Sequence, residues 1–322
     1  MSVKPILNVF GVAAAAMMLL GCAAMLDQDG ALALAPYRVQ DNGRIVVDVN
    51  VNGDGPFDFA LDTGASISVI HDGLRKQLAL QPDPGRTVII HGAVTSGRFP
   101  LLSVDRIAVG REGWVNPRVA SMPGKTPAGR GIDGILGVDF LQRYAVGFST
   151  RERVIRLYPP ELVGSRTYRG WTSVPLEPEY FGSSGAALYL FEIDIGKQKI
   201  PALFDLGAGL NVVNWAAARS LGLEPADLTG DESFSGAIDT TDAVGRFRAD
   251  KVKTGRVRWR DEEFSVAELK VFETLVNGDA PYAILGAGLF KRRDFIIDFA
   301  RRRLLVKIAM HESDVPDEDA GS

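Results

Sequence analysis

Two aspartates stand at the same place in two similar segments of this 322-residue chain. Residues 59–70 read FALDTGASISVI and residues 202–213 read ALFDLGAGLNVV, so an apolar run ends on Asp62 or Asp205, turns at a glycine and becomes apolar again. Two carboxyls in contact cannot both ionise readily, so one stays protonated while the other is charged. Such a pair can take a proton from a water and give one to a carbonyl oxygen.

The two aspartate segments belong to a longer internal repeat. Asp205 follows Asp62 by 143 residues, and the same offset relates Gly53 to Gly196. Further matches follow in the same order, at offsets that drift to 149: Leu78 and Leu80 with Leu221 and Leu223, Gly92-Ala93 with Gly236-Ala237, Gly97-Arg98-Phe99 with Gly245-Arg246-Phe247, and Ile135-Leu136-Gly137 with Ile284-Leu285-Gly286. The chain therefore contains two diverged copies of about 120 residues each.

Each copy has the pattern of a mostly β structure. Val47, Val49 and Val51 alternate with polar residues before a glycine-rich turn and the run FDFAL, which predicts a hairpin. The 35 glycines and 17 prolines favour many turns over long helices. Short helices are expected after each aspartate and after each Ile-Leu-Gly, at HDGLRKQLAL, NWAAARSLGL, VDFLQRY and AGLFKRR, with closing strands around 153–158 and 303–308.

The motifs of the first copy resemble the active-site loop of the aspartic proteases. The loop is Asp62-Thr63-Gly64-Ala65-Ser66, and its partner further along is Asp133-Gly134-Ile135-Leu136-Gly137. The whole pattern is similar to bacterial retropepsin-like proteases with two lobes in one chain, and it covers about residues 43–158 and 187–308. The resemblance implies an all-β, two-lobed acid-protease fold of the pepsin/retropepsin type, with tandem duplicated lobes and a few short helices.

The resemblance also implies roles for individual residues. Asp62 and Asp205 would share general acid/base catalysis through a bound water, in an endopeptidase that acts on an extended polypeptide and needs no cofactor. The residues expected to support the loops are Thr63, Gly64, Ala65, Ser66, Gly207 and Ala208. Pepsin-like enzymes carry a hydroxyl at the position of Ala65 and Ala208 that favours the charged carboxylate, so its absence predicts a higher pKa and an optimum nearer neutral pH.

The second copy departs from the family pattern at Leu206. Thr or Ser usually follows each catalytic aspartate, and the two hydroxyls interlock beneath the pair; Thr63 fits this pattern and Leu206 does not. Either packing by Leu206 replaces the missing hydroxyl or the second copy has drifted toward a structural role. The alternative function is therefore a catalytically impaired peptide-binding or scaffolding lipoprotein of the same fold.

Two segments are expected to be hairpin flaps that cover the substrate. IIHGAVTSGRF and FSGAIDTTDAVGRF place glycine and small polar residues between strand-like flanks. The flap residues are Gly92, Ala93, Val94 and Gly97 in the first copy and Gly236 and Ala237 in the second. Two ordinary surface hairpins would give the same pattern.

The N-terminus indicates export. Residues 1–22 contain Lys4 and then an uncharged run that is too short for a comfortable membrane span. The run ends on Leu19-Leu20-Gly21-Cys22, which resembles the bacterial lipoprotein box, so Cys22 is the expected site of lipid attachment. The lipid would tie the protein to a membrane, with the periplasmic face of the outer membrane favoured. Ordinary secretory cleavage, with Cys22 incidental, is the alternative.

The remaining boundaries follow from composition. Residues 23–38 are expected to be a flexible linker, 39–158 the N-terminal lobe, 159–186 a connector, 187–308 the C-terminal lobe, and 309–322 a disordered acidic tail. The duplication makes a second chain unnecessary, so the expected state is a monomer with an internal pseudo-dimer.

Several other functions are disfavoured. The net charge is −4 and no basic patch is apparent, which argues against a nucleic-acid partner. His71, His91 and His311 are isolated, so no metal site is expected. Asp133 and Asp298 are expected to orient local backbone rather than to perform chemistry.

Overall fold

The computed structural model describes residues 30–91, 96–124, 131–165, 168–180, 186–230, 233–235, 240–242, 245–275 and 280–308. Most of these residues lie in β-strands, as the alternating sequence pattern predicts. Among the described residues no helix has the length and apolar character needed to span a membrane.

The first lobe contains twelve of the described strands and two short helices. The strands are β1 (Ala33–Val39), β2 (Ile45–Val51), β3 (Asp54–Leu61), β4 (Val69–His71), β5 (Pro82–His91), β6 (Ser96–Ser103), β7 (Arg106–Val109), β8 (Glu112–Val115), β9 (Arg118–Met122), β10 (Gly134–Leu136), β11 (Ala145–Ser149) and β12 (Val154–Tyr158). The helices are α1 (Asp72–Gln77) and α2 (Val138–Leu141).

The rest of the described chain continues with the same alternation. The helices are α3 (Pro160–Ser165), α4 (Trp215–Ser220) and α5 (Lys270–Leu275), with 3-10 turns at Pro225–Asp227, Ala287–Phe290 and Phe299–Arg301. The strands are β13 (Trp171–Pro175), β14 (Glu177–Tyr180), β15 (Ala187–Ile195), β16 (Gln198–Asp205), β17 (Val212–Val213), β18 (Ser233–Ser235), β19 (Thr240–Asp242), β20 (Gly245–Ala249), β21 (Val252–Thr254), β22 (Val257–Trp259), β23 (Glu262–Val266), β24 (Ala283–Gly286), β25 (Phe295–Asp298) and β26 (Arg303–Lys307).

Both lobes contain the same arrangement of three strands, in which one strand is inserted between two others; we call it the three-strand crossing. In the first lobe β10 lies between β3 and β4, parallel to β3 and antiparallel to β4. In the second lobe β24 lies in the same way between β16 and β17. The inserted strand is apolar and buried in each case, which explains why the sequence needs Ile-Leu-Gly at this point. Each crossing leaves the loop after β3 or β16 projecting from the sheet.

A shared sheet joins the two lobes. Its strand order is β13-β26-β25-β11-β12-β1, so three strands of the second copy lie beside three strands of the first in one hydrogen-bonded structure. At its centre β11 pairs with β25, its counterpart in the second copy, and Phe148 stacks on Phe295 with ring centroids 4.4 Å apart. Pairing between equivalent strands places the two copies about an approximate twofold axis.

Two expected boundaries need correction. The segment assigned to a flexible linker over 23–38 forms a strand from Ala33 onward, because Ala33, Ala35 and Tyr37 alternate into the core while β1 pairs with both β2 and β12. The connector over 159–186 contains β13 and β14, which pair with β26 and β15. In the second lobe β13 and β14 pair with the closing strand and with the first hairpin, as β1 does in the first lobe. Each repeat therefore begins earlier than its sequence landmarks indicate.

Candidate active site

Asp62 and Asp205 lie at the same point of the two three-strand crossings. Asp62 directly follows β3, and its amide donates to the Leu136 carbonyl at 3.0 Å. Asp205 ends β16, in register with Gly286 of β24. Both aspartates are half-buried. Because the two lobes are related by an approximate twofold axis, each sheet delivers one carboxyl to the same place.

The two loops approach each other so closely that each glycine lies against the carboxyl of the opposite lobe. A Cβ added to Gly64 would lie 2.6 Å from Asp205 Cγ, and one added to Gly207 would come still closer to the Asp62 carboxyl. Real Cβ atoms are not found at such distances, so only glycine fits at either position. The two carboxyls are within hydrogen-bonding reach of each other. The structure therefore brings together the pair that the repeat predicts.

Backbone amides of its own loop hold each carboxylate. The Gly64 amide donates to Asp62 Oδ1 at 2.8 Å, and the Gly207 amide donates to Asp205 Oδ1 at the same distance. A further amide, from Ala208, donates to Asp205 Oδ1 at 3.2 Å. The loop geometry is thus conserved between the copies although their side chains differ.

Thr63 fastens the two loops together beneath the pair. Its hydroxyl donates to the Phe204 carbonyl at 2.7 Å and accepts from the Leu206 amide at 2.9 Å, so both bonds cross between the lobes. Thr63 and Leu206 are both fully buried. Leu206 packs in the main apolar core and offers no hydroxyl for the reciprocal pair of bonds. The single hydroxyl of Thr63 is therefore satisfied by the backbone that surrounds Leu206.

The two Ile-Leu-Gly segments clamp the far side of the loops. The Val138 amide donates to the Ala65 carbonyl at 2.8 Å, and the Ala287 amide donates to the Ala208 carbonyl at 3.1 Å. A Cβ on Gly286 would lie 2.5 Å from the Ala208 carbonyl oxygen. The contact explains why each segment ends in glycine, and it gives Ala65 and Ala208 equivalent places.

Sequence reasoning missed a polar network behind the first loop. The Ser68 amide and hydroxyl donate to the Asp139 carboxylate at 2.8 and 2.6 Å, and Ser68 Oγ accepts from the Gly137 amide at 3.0 Å. In the second lobe Asn211 Oδ1 accepts from the Gly286 amide at 3.2 Å. The offset of 143 relates Ser68 to Asn211, so carrying the repeat six residues beyond the aspartates would have found this pair.

Sequence reasoning also missed Arg44, a cation beside the pair in one lobe. Its Nε donates to the Gly207 carbonyl across the lobe boundary at 3.2 Å. The buried Leu188 occupies the equivalent place in the second lobe. The register of the first hairpin in each lobe sets this equivalence, since Val46 pairs with Ala60 and Leu190 pairs with Leu203. Arg44 has no counterpart in the repeat, so the repeat gave no signal for it.

The surroundings raise the pKa of both carboxyls, but to different extents. Burial raises the pKa of Asp62, and the hydrogen bond from Asp205, the charge of Arg44 and the Gly64 amide oppose that rise. Burial, followed by the charge and hydrogen bond of Asp62, holds the pKa of Asp205 well above its usual range. The two carboxyls therefore titrate as one pair that holds a single proton between them, and the stronger upward shift of the pKa lies on Asp205.

The other acidic and histidine residues singled out from the sequence have local partners. The Asp133 carboxylate accepts from the Asp58 amide at 3.0 Å, and the buried Asp298 accepts from the Arg301 amide and Arg303 Nε. Both aspartates orient backbone, as expected. Burial lowers the pKa of His71, whose Nδ1 lies 2.9 Å from the Ile132 carbonyl.

Some predicted site residues lie elsewhere or outside the described residues. Ser66 is half-buried, and its side chain makes no hydrogen bond to the described residues. Gly97 lies in β6, paired with Ile90 of β5, so it belongs to the base of the first predicted flap. The remaining flap residues and the predicted lipid site fall outside the described residues: Gly92, Ala93, Val94, Gly236, Ala237 and Cys22. Among the described residues, no three His, Cys, Asp or Glu side chains group together to hold a metal ion.

Comparison with known proteins identifies the repeat. A family model described as "Aspartyl protease" matches residues 47–140 and again residues 191–289. The two matches contain the Asp62 and Asp205 loops and the two Ile-Leu-Gly segments, so each copy matches over the elements that build the site. A search of the curated proteins gave no match.

Proposed function

Because the chain belongs to the aspartyl protease family, we propose that it is an aspartic endopeptidase whose Asp62 and Asp205 act as one catalytic pair. The observation that carries this proposal is the contact across the lobes, in which Gly64 and Gly207 each lie against the opposite carboxyl. Contact between the carboxyls suits a reaction that needs one charged and one protonated carboxyl. It lowers the stability of the fold, because two acidic groups are held together partly shielded from water.

In the proposed reaction Asp62 is the charged carboxyl and Asp205 is the protonated one. A water bound between the carboxyls gives a proton to Asp62 while its oxygen attacks the peptide carbonyl carbon, and Asp205 gives its proton to the carbonyl oxygen. The tetrahedral adduct then collapses as the amide nitrogen takes a proton from Asp62 and the C–N bond breaks. The hydroxyl proton of the adduct returns to Asp205. Both carboxyls recover their starting states, so no cofactor is required.

The proposed substrate is an extended polypeptide. The hairpin formed by β5 and β6 rises from the first lobe, and a strand-like substrate could pair with such a hairpin through its backbone. Backbone recognition would give affinity, and side-chain pockets would give selectivity among sequences. The flap residues of the second copy remain part of this proposal rather than of the described structure.

The pH optimum is expected to lie nearer neutral than that of pepsin. No hydroxyl stands at Ala65 or Ala208 to favour ionisation, and burial raises the pKa of both carboxyls. Asp62 must be charged to accept a proton from water, so a raised pKa moves the acidic limb of the rate profile upward. Maximum activity near pH 2 would contradict this expectation.

The competing function is a peptide-binding scaffold that has lost its chemistry. Leu206 is the observation in its favour, because it removes one of the two expected hydroxyls. Against it, the Leu206 amide still bonds Thr63 Oγ1, and Asp205 keeps the same amide donor geometry as Asp62. Backbone amides of the second loop, including that of Leu206, therefore provide the hydrogen bonds that position Asp205.

The decisive experiment compares cleavage by the parent with cleavage by Asp62→Asn and Asp205→Asn. The full chain, kept in a mild detergent, is incubated with a diverse peptide pool between about pH 3 and pH 8, and products are identified by mass spectrometry. We expect each variant to lose at least about a thousandfold in rate. Binding of the same peptides without cleavage by the parent at any pH would support the scaffold instead.

Location is part of the proposal. Lipid on Cys22 would hold the enzyme at the periplasmic face of the outer membrane. Mass spectrometry of the N-terminal peptide and fractionation of Cys22→Ser test this, and a soluble, unlipidated parent would contradict it. Retention of activity by Cys22→Ser is expected, because Cys22 has no part in the catalytic pair.

A further inference from the structure

The β21–β22 hairpin presents one face on which every charged side chain is a cation. Within residues 251–260 buried residues alternate with exposed ones. Lys253 of β21 pairs in register with Arg258 of β22, and β22 is the last strand of its sheet. The exposed cations are Lys251, Lys253, Arg256, Arg258 and Arg260. The expectation that basic residues do not gather is therefore wrong for this face.

This arrangement calls for a counter-charge. Like charges directly opposite on neighbouring strands destabilise a sheet. Asp194 pairs with Lys253 at 3.0 Å, but within the described part of the chain no ion pair joins an acid to Lys251, Arg256 or Arg258. The same holds for Arg260. The hairpin thus carries five exposed cations between Asp250 and Asp261, and in the described residues Asp194 is the acid that forms an ion pair with one of them.

A buried guanidinium connects this hairpin to the end of the described chain. Arg293 donates from Nη2 to the Arg258 carbonyl at 2.7 Å and from Nη1 to the Ile308 carbonyl. It also lies over the Trp259 ring, with Cζ 5.8 Å from the centroid. Ile308 is the last described residue, so the chain beyond it starts directly beside β22.

The chain beyond Ile308 has the complementary charge. Residues 309–322 contain no Lys or Arg, and their five acids are Glu312, Asp314, Asp317, Glu318 and Asp319. Glu312 is four residues from Ile308, a reach of up to about 13 Å for an extended chain. The first acid can therefore meet the hairpin without a long loop, and the others can follow it along the same face.

We propose that the cationic face of the β21–β22 hairpin is the docking surface of the chain's own acidic segment, residues 309–322. The segment supplies the counter-charge that the face lacks, and it fastens the end of β26 at the shared sheet. The contact is electrostatic and lies at the surface, so salt weakens it. This inference does not depend on the proposed protease activity.

Zero-length carbodiimide coupling tests the contact directly, because it joins a carboxylate only to an amine that touches it. In the full chain we expect links from Lys251 or Lys253 to acids between 312 and 319. The Asp194–Lys253 pair provides an internal positive control. We expect the tail links to fall at least about tenfold in about 1 M NaCl, where the screening length is near 3 Å.

Two matched variants separate docking from random collision. The triple variant Arg256→Ser, Arg258→Ser and Arg260→Ser keeps both lysines and should lower the yield of tail links at least about fivefold. The control, Arg86→Ser with Arg219→Ser, removes exposed cations elsewhere and should leave the yield unchanged. Formation of the Asp194 link without any tail link would overturn the proposal, as would tail links that neither salt nor the triple variant reduces.

Vesicles test the other candidate occupant, an anionic membrane. We compare binding to vesicles with about a third phosphatidylglycerol against neutral vesicles, so that the N-terminal contribution cancels in the ratio. Neutralising the five tail acids to Asn or Gln should raise this ratio, because the hairpin is then uncovered. A high ratio in the parent that neutralisation does not change would assign the face to the membrane and overturn the proposal.

Discussion

The two aspartate loops have the same backbone and different side-chain support. In the first lobe Thr63 spans the boundary, Ser68 binds Asp139, and Arg44 lies nearby. In the second lobe Leu206 is packed in the core, and Asn211 Oδ1 accepts from the Gly286 amide of the Ile-Leu-Gly segment. The positions of the carboxyls depend on amides and glycines that both copies keep. The two copies therefore share the geometry of the loops, whereas the side chains that support the loops differ between them.

Breaking the contact that the two loops share should lower the cleavage rate strongly. Gly64→Ala and Gly207→Ala each place a methyl group where the opposite carboxyl stands. We expect the pair to separate and the cleavage rate to fall at least about a hundredfold, since displacement by about 1 Å has effects of that size. Single-turnover rates measure the loss. Gly73→Ala, where an added Cβ meets nothing within 4 Å, is the control.

Equal losses in the two glycine variants would show that the loops contribute equally to the pair. A loss confined to Gly64→Ala would mean that the second loop tolerates displacement, which would favour a structural role for the second copy. Full activity in both variants would contradict the proposal that the contact between the carboxyls is what the fold maintains.

Thr63 and Leu206 should differ in how much each contributes to the stability of the fold. Thr63→Val removes the partner of the Phe204 carbonyl and the Leu206 amide in a buried place, and each orphaned group costs about 1–3 kcal/mol. We expect unfolding to become easier by about 4 kcal/mol in all, measured by urea denaturation.

Leu206→Thr is the matched change in the other lobe. It exchanges packing for a hydroxyl placed to bond the first loop, so it should cost less than Leu206→Ala, for which about 2–5 kcal/mol is expected. If Leu206→Thr proved as damaging as Leu206→Ala, the second loop would have lost the geometry that a reciprocal hydroxyl requires.

Asp139 provides a pH-dependent difference between the lobes. Burial raises the pKa of Asp139 to about 6, against the opposing hydrogen bonds from Ser68 and Phe140. The folded protein holds this proton where the unfolded chain has released it, so stability falls as pH rises from about 4 to 6 and stays lower above that range. The loss is at most about 3 kcal/mol.

Asp139→Asn should remove this component of the pH dependence, because an amide does not titrate. Urea unfolding at about pH 4 and pH 7 measures it in the parent, in Asp139→Asn and in the exposed control Asp41→Asn. A parent whose stability rises across this window by the same amount as that of Asp139→Asn would exclude a contribution from Asp139.

The sequence predicted what the two copies have in common. The offset of 143 was enough to pair Asp62 with Asp205. The strands around them lie where alternation of apolar and polar residues predicted them, and the short helices follow the aspartates and the Ile-Leu-Gly segments as expected. β1 was missed because its buried face contains alanine, which has little strand preference, and because Pro36 interrupts the pattern. Its register depends on pairing with β12, which is more than a hundred residues away in sequence.

The sequence could not predict what the copies do not share. No equivalent arginine stands in the second copy, and the position of Arg44 depends on close packing between the turn of the first lobe and the loop of the second. A Cβ on Gly43 would lie 2.9 Å from Gly209 Cα, so the turn and the loop have no room between them. Such contacts between lobes are set by the shared sheet, which a local pattern does not encode.

Replacing Arg44 should have a smaller effect than the changes above, and it tests the electrostatic difference between the two lobes. Its charge opposes the rise in the pKa of Asp62, so Arg44→Gln should raise that pKa further and move the acidic limb of the cleavage profile to higher pH. The rate at the acidic end should fall several-fold while the rate near the optimum changes little. Arg44→Lys keeps a cation in place and should keep most of the acidic limb.

If both variants lost rate equally at every pH, Arg44 would act through the Gly207 contact and the geometry of the loop. If neither changed the profile, the difference in proton affinity between Asp62 and Asp205 would arise from the loops alone, and the asymmetry of the pair would be a property of its amides.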